Sequence, residues 1–325
     1  MLTSYFNLEH LDDLKVTMGG GAGTHLLNVA LGLVMFGIAL GIKPSNFVDI
    51  IKNPKSIITG IVCQIILLPA LTFLLVVACG NLLSPMVALG MILVAACPGG
   101  NVSNFITTLS RGNSELSVSL TAFNTAACIF TTPINFAFWG KMYLDYAGEH
   151  EIVLPQLEIP FWEIFQSIVI IMGIPLVLGM LCAHYYPKIA AKLNKPLQRL
   201  SIVVFVAMVA IIFTSNFSVF LKCITSIFIV VLVHNLLALG IGFGSSTALR
   251  LPYKDRRTLT IETGIQNSGL GLVLLMNPNI FDPVIWEKNG GMVVITAWWG
   301  VWHIISGFTL AYLWRKRGRK EPNEE

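Results

Sequence analysis

Runs of roughly 20 apolar residues recur along the whole chain, and a run of that length crosses the hydrocarbon core of a bilayer as a helix. Read between charged or Pro/Asn/Gly breaks, the 325 residues predict nine such helices, at 25–42, 54–79, 84–109, 114–140, 161–186, 198–217, 222–249, 256–276 and 291–314. The composition agrees: 55% of residues are hydrophobic and 12% are charged, against about 25% charged in soluble domains. The expected fold is an all-α polytopic membrane protein with one transmembrane domain over 25–314. A polar segment at 1–24 precedes it and a basic tail at 315–325 follows.

An odd number of crossings places the termini on opposite faces. Seventeen of the 21 Lys and Arg residues fall in one set of loops and the tail, among them Lys52, Arg111, Lys192, Arg250, Arg257 and Arg317. Only Lys15, Lys141, Lys222 and Lys288 fall in the other set. By the positive-inside rule the C-terminus is expected in the cytoplasm and the N-terminus outside, in a plasma membrane. The tail thus reads as a flank lying near anionic lipid, and nucleic acid is not expected as a partner. The six cysteines form no C-x-x-C pair and read as small packing residues in apolar stretches, with no zinc site or disulfide framework.

Two of the nine stretches carry residues that a lipid-facing helix should not have. The third holds Pro98, Gly99 and Gly100 at mid-depth, followed by Asn101, Ser103, Asn104, Thr107 and Thr108. The eighth holds Glu262, Gly264, Gln266, Asn267, Ser268 and Gly269 at a similar depth. Proline removes a backbone donor and glycines lower the cost of unwinding, so both stretches are expected to break. Unwound backbone is tolerated at that depth only against protein or water, which aims the two breaks inward and toward each other. Each break lies in the middle helix of a three-span unit, spans 2–4 and spans 7–9, and the second unit enters the membrane from the opposite side. That layout is an inverted-topology repeat with discontinuous helices at matching positions, the pattern of a secondary-transporter site.

Glu262 is the one carboxylate expected deep within a span, and no Lys or Arg shares its depth. Its partner is then a bound cation or a proton. Carboxylate, amide and hydroxyl oxygens, with carbonyls freed by the breaks, suit a hard monovalent cation such as sodium. Ser117, Thr121, Asn124 and Thr125 lie near one face of the fourth span, although hydroxyls in such positions commonly make only interhelical packing bonds. Gln64 is open to the same two readings. The half-helix N-termini at the breaks offer a place for a carboxylate or sulfonate. His234 reads as a core histidine, whereas His303 stands between core and ligand roles. No ATP-binding loop or hydrolase motif occurs, and "GIGFGSS" at 240–246 lies inside an apolar span. An enzyme is therefore not expected. A proton-coupled carrier and a membrane receptor using the same pocket are the competing readings.

The motifs "CPGGNVSN" at 97–104 and "ETGIQNSGL" at 262–270 resemble the two signatures of the bile acid:sodium symporters. The resemblance extends over residues 25–314, including "RGNSELSVSLT" at 111–121, "VHN" at 233–235 and "WHIISG" at 302–307, and it is to the nine-helix form. It implies a core bundle (54–140 and 222–314) in which the broken helices cross, and a panel (25–42, 161–186 and 198–217). It implies two coupling sodium ions and no other cofactor. One would be held by Ser103, Asn104, Ser117, Thr121 and Glu262. The second would be held by Gln64, Glu262 and Gln266, with the carbonyls of Thr263 and Ile265. A small organic anion would sit between bundle and panel near Asn101, Asn267 and His303. Many bacterial relatives carry Asn after that histidine, where this chain has Ile304, so a polar contact is missing, and the expected organic anion is bile-acid-like or a smaller carboxylate such as pantoate or pyruvate.

Overall fold

The computed structural model describes residues 8, 11, 29, 32–41, 54–100, 102–149, 159–215, 217–277, 280, 281 and 288–317. Asn101, the N-terminal segment apart from Leu8 and Leu11, and the tail beyond Arg317 lie outside the described residues. Among the described residues, four helices are long and apolar enough to cross a membrane, at Pro54–Leu82, Phe161–Tyr185, Ile224–Ala248 and Gly290–Lys316. The described residues form helices throughout and no strand, with one isolated β-bridge.

After a first helix over 32–39 (α1), α2 begins at Pro54–Val62, widens into a π-helical turn over Cys63–Leu67 and continues as Leu68–Cys79. The cause is Pro69. It has no N–H, and its ring crowds the carbonyl four residues back, so the amide of Leu68 reaches one residue further than in an α-helix, to the Cys63 carbonyl. The same device recurs in α6 (Phe161–Ile168, π-turn Val169–Gly173, then Ile174–Tyr185), where Ile174 bonds to the Val169 carbonyl just before Pro175. The hydrophobic pattern had predicted plain helices in both places.

The third span is two helices. α3 (Pro85–Ala96) starts on a Ser84 cap whose hydroxyl accepts from the Val87 amide, and it is buried from Met86 to Ala96. α4 (Val102–Leu109) follows, and the described residues between the two, 97–100, are not helical. α5 (Ser114–Glu149) and α7 (Pro187–Ser215) run past their expected bounds, because polar residues at 141–149 and 187–197 continue the helices, most of them exposed. Lys188, Lys192 and Lys195, expected in a loop, are thus helical. α8 (Phe217–Ala248) leads to a second broken span, α9 (Tyr253–Gly264) and α10 (Ser268–Met276), and α11 (Gly290–Arg317) completes the chain.

α3 packs against α2, α5 and α11, while α9 touches α2, α4, α5, α8 and α11. The approach of α8 to α9 depends on Gly242, since a Cβ there would stand 2.4 Å from the Leu259 carbonyl oxygen. α1 and α6 lie on α5 through Ala39, Leu176 and Met180 against Ala122, Ala126 and Ile129. These contacts put the start of α4, the end of α9 and the first half of α5 around one buried region.

Candidate ion and substrate site

The two broken spans meet at their breaks. Gly99 and Gln266 form an antiparallel bridge, with the Gly100 amide donating to the Ile265 carbonyl (2.8 Å) and the Asn267 amide to the Pro98 carbonyl (2.8 Å). Each unwound segment therefore satisfies the other's backbone groups, which is the condition for non-helical chain at membrane depth. A Cβ at Gly100 would lie 3.0 Å from the Gln266 carbonyl oxygen, so side chains larger than glycine crowd this crossing.

Side chains from neighbouring helices take further carbonyls at the ends of α3 and α9. Thr132 donates to Ala96 O (2.8 Å), Gln64 Nε2 to Cys97 O (3.1 Å), Asn235 Nδ2 to Gly264 O (2.8 Å) and Gln266 Nε2 to Thr263 O (2.7 Å). Asn235 is held in turn by Ser306, whose hydroxyl donates to its Oδ1 (2.6 Å), tying α8 and α11 to the break. The sequence reading did not assign these roles to Thr132, Asn235 and Ser306. Their signal was there, as isolated amides or hydroxyls in apolar spans, but their partners lie tens of residues away along the chain.

The first expected ligand set comes together. Glu262 is buried on the last turn of α9, and its carboxylate accepts from the Ser117 hydroxyl and from Thr121 Oγ1 (3.1 Å). The same two hydroxyls approach Asn104 Oδ1, at 2.8 and 3.2 Å. Four oxygen–oxygen contacts are thus served by two hydroxyls, and a hydroxyl carries one hydrogen. Both hydrogens can go to an ionised Glu262 when the Asn104 amide turns its NH2 toward the two hydroxyls, which then accept from it. Ser103 Oγ is buried beside the same carboxylate and makes no hydrogen bond of good geometry. A Cβ placed on Gly99 would lie 3.5 Å from Glu262 O, 3.6 Å from Glu262 Oε2 and 3.8 Å from Ile265 O, so backbone and carboxylate oxygens converge there as well.

The second expected set also comes together, and it is closed on itself. The π-turn of α2 carries Gln64, which donates to Gln266 Oε1 (2.6 Å) and accepts from Gln266 Nε2 (3.1 Å). The carbonyls of Thr263 and Ile265 already accept from Gln266 and Gly100. Taking a cation here requires these internal bonds to open.

The expected substrate residues are less concentrated. The carbonyl of the Asn267 side chain caps α10 by accepting from the Leu270 amide (3.1 Å), which leaves its NH2 for another acceptor. His303 is buried on α11 with Nδ1 unpartnered, and no hydrogen bond among the described residues joins it to Asn267. Ile304, next to it, is half-buried. His234 behaves as a core residue, with Nε2 2.8 Å from Thr72 Oγ1 and its ring 4.4 Å from that of Trp299.

A second polar knot was read from sequence only as loop charge. At the start of α9, buried Asp255 accepts from Ser56 Oγ (2.6 Å) and Asn113 Nδ2 (2.9 Å). Arg257 is also buried, donating to Ser110 O (2.8 Å) with its guanidinium 4.4 Å from the centre of the Tyr253 ring. A loop charge count does not distinguish a solvated arginine from one capping a carbonyl under an aromatic ring.

Residues 28–223, more than half of the chain and including the first break, match the profile of the Sodium Bile acid symporter family. The chain belongs to that family. A Bacillus subtilis (strain 168) protein named an uncharacterized sodium-dependent transporter, YocS, is 31% identical over 295 residues, 91% of this chain and 84% of its own. The human ileal sodium/bile acid cotransporter is 28% identical over 75% of this chain and 67% of its own length. The rice protein named probable sodium/metabolite cotransporter BASS2, chloroplastic, is 28% identical over 91% of this chain and 65% of its own. The protein is accordingly a membrane protein of a sodium symporter family.

Proposed function

We propose that this protein couples sodium entry to the uptake of a small organic anion by alternating access. The observation that carries this reading is the Glu262 cluster, where hydroxyls and an amide surround a buried carboxylate that makes no salt bridge among the described residues, at the crossing of two broken helices. A sodium ion at this point is coordinated by Ser103, Asn104, Ser117, Thr121 and Glu262, and so joins α4, α5 and α9. A second ion takes Gln64, Gln266, Glu262 and the carbonyls of Thr263 and Ile265 once the amide pair has opened.

Coupling follows from what the ions hold. The anion is received at the N-termini of α4 and α10, with Asn101, Asn267 and His303, where unpaired amides favour negative charge. Those termini are positioned by the segments that sodium cross-links, so each ligand raises the affinity for the other. The names of the relatives point to bile acids and metabolites as the substrate range. Ile304 in place of a polar neighbour to His303 favours an anion smaller or differently functionalised than a bile acid. The nine crossings, the inverted repeat, the division into bundle and panel, and an exterior N-terminus with a cytoplasmic C-terminus belong to the same reading and rest on the charge asymmetry and the paired breaks.

The second reading is a proton-coupled carrier, since a proton on Glu262 would also neutralise the buried carboxylate. Uptake into proteoliposomes at fixed pH, with sodium or choline outside, separates the two. The sodium reading expects uptake of a stabilising anion only with sodium. Uptake indifferent to the exchange removes it in favour of proton coupling.

A further inference from the structure

The polar atoms around Glu262 do not stop at the cluster. On α5, Ser114, Ser117 and Thr121 share one face at helical spacing, and on α4, Asn104 and Thr108 share the facing side. Asn104 takes part twice. Its side-chain Oδ1 meets Ser117 and Thr121, while its backbone carbonyl accepts from Thr108 Oγ1 (2.9 Å). Thr108 Oγ1 in turn lies 3.0 Å from Ser114 Oγ. The result is an unbroken line of oxygens from the Glu262 carboxylate to the α4–α5 turn. Burial falls steadily along it: Glu262, Ser117 and Thr121 are buried, Asn104 and Ser114 half-buried, and Thr108 exposed.

A threonine bonding the carbonyl four residues back is common in helices, and Thr258, Thr260, Thr263 and Thr309 all do so here. Thr108 differs in having the hydroxyl of another helix beside it, with a carbonyl whose own residue belongs to the inner cluster. Thr108 Oγ1, on an exposed residue, lies within hydrogen-bond distance of both Asn104 O and Ser114 Oγ, and such a row of oxygens can replace part of a cation's hydration shell while water supplies the rest.

We propose that the seam between α4 and α5 is the path by which sodium passes between the Glu262 cluster and the basic-loop face, with Asn104 O, Thr108 and Ser114 forming a partly hydrated outer cation station. This rests on the sodium-coupled reading. The ion leaves the inner oxygens for the outer set without crossing apolar surface, because Asn104 presents an oxygen to each. The Glu262 charge at the closed end draws cations along the seam and repels anions, so the path and the anion pocket are separate.

The test uses the full-length chain in sealed membrane vesicles of both orientations, with Thr108→Cys and Ser114→Cys compared against Tyr312→Cys on the exposed end of α11. Two methanethiosulfonate reagents of similar size, one carrying trimethylammonium and one sulfonate, are followed by site-resolved mass spectrometry. From the basic-loop face, the cationic reagent is expected to modify positions 108 and 114 about tenfold faster than the anionic one, sodium should slow it, and position 312 should show neither effect. The cationic adduct at 108 should then reduce sodium-driven uptake relative to the unmodified form of the same variant. Equal rates for both reagents, or no protection by sodium, at both positions overturns the seam. If one variant does not fold, the other decides. Sodium dependence of the unsubstituted protein is measured first: its loss overturns the coupled reading and the seam with it, whereas its retention without the charge preference overturns the seam alone.

Discussion

The helix α9 carries two buried carboxylates, Asp255 in its first turn and Glu262 in its last, and their partners differ in kind. Each oxygen of Asp255 has its own donor, the hydroxyl of Ser56 on one side and the amide of Asn113 on the other. Asn113 has no competing demand on that donor, since its Oδ1 caps α5 by accepting from the Leu116 amide. Around Glu262 the groups are hydroxyls, those of Ser117 and Thr121 with Ser103 beside them, and Asn104 shares the first two. Burial alone would rank the two sites together. What separates them is the kind of partner: Asp255 is held by one hydroxyl and one amide, whereas Glu262 faces hydroxyls, which can turn either a hydrogen or a lone pair inward.

If that distinction is right, the largest effect comes from Glu262. Glu262→Ala should abolish both the stabilisation of the purified protein by sodium and sodium-driven uptake, while Glu262→Gln, which keeps one carbonyl, should retain weak binding at most. Thermal melting in sodium against choline, paired with uptake, checks this. Full sodium dependence in Glu262→Ala would move the cation site elsewhere and remove the basis of the comparison.

Asp255 should behave in the opposite way. Asp255→Ala leaves Ser56 and Asn113 without their shared acceptor and should lower stability by about 1–3 kcal/mol. The sodium concentration giving half-maximal stabilisation should nonetheless stay within about twofold of the parent value, as for a site that shares no partner with the ion. A sodium titration of the variant decides, and a large shift would mean that the two knots act as one. Asn235→Leu probes a third kind of polar group, one that serves freed backbone. Losing its bond to Gly264 O should cost about 1–3 kcal/mol and weaken anion and sodium binding together, because the whole break is loosened.

Much of this was legible in the sequence, for physical reasons that also explain the remainder. Pro98 with Gly99 and Gly100 is a local signal, and so is a glutamate amid apolar residues, so the breaks and Glu262 were evident. That the breaks would face each other followed from the need to satisfy unwound backbone, and the Gly99–Gln266 bridge is how it is met. The π-turn that carries Gln64 was missed because periodicity does not register one extra residue in a helix, although Pro69 marked the place. Asn235 was quoted as part of a motif without a role, since its partner Gly264 is 29 residues away and only packing brings them together. Arg257 was counted as a loop charge and Asp255 was given no role, because the partners of Asp255 and the aromatic cover that Tyr253 and Trp314 give Arg257 depend on tertiary structure.

The smallest expected effect is the most discriminating, and it concerns Ser103. Its hydroxyl is buried next to Glu262 without a hydrogen bond of good geometry, an arrangement that costs stability in the absence of a ligand. Removing it by Ser103→Ala should therefore leave the melting temperature in choline at or above the parent value, since the change deletes an unpaired buried hydroxyl. In sodium the same variant should melt lower than the parent and need several-fold more sodium for half-maximal stabilisation, because one coordinating oxygen is gone. A packing role predicts equal losses in both salts. An inert serine predicts no difference in either. Only a hydroxyl held ready for a cation gives a loss that appears when sodium is present and vanishes when it is replaced, so a salt-independent result would count against the first ligand set even if Glu262→Ala behaved as expected.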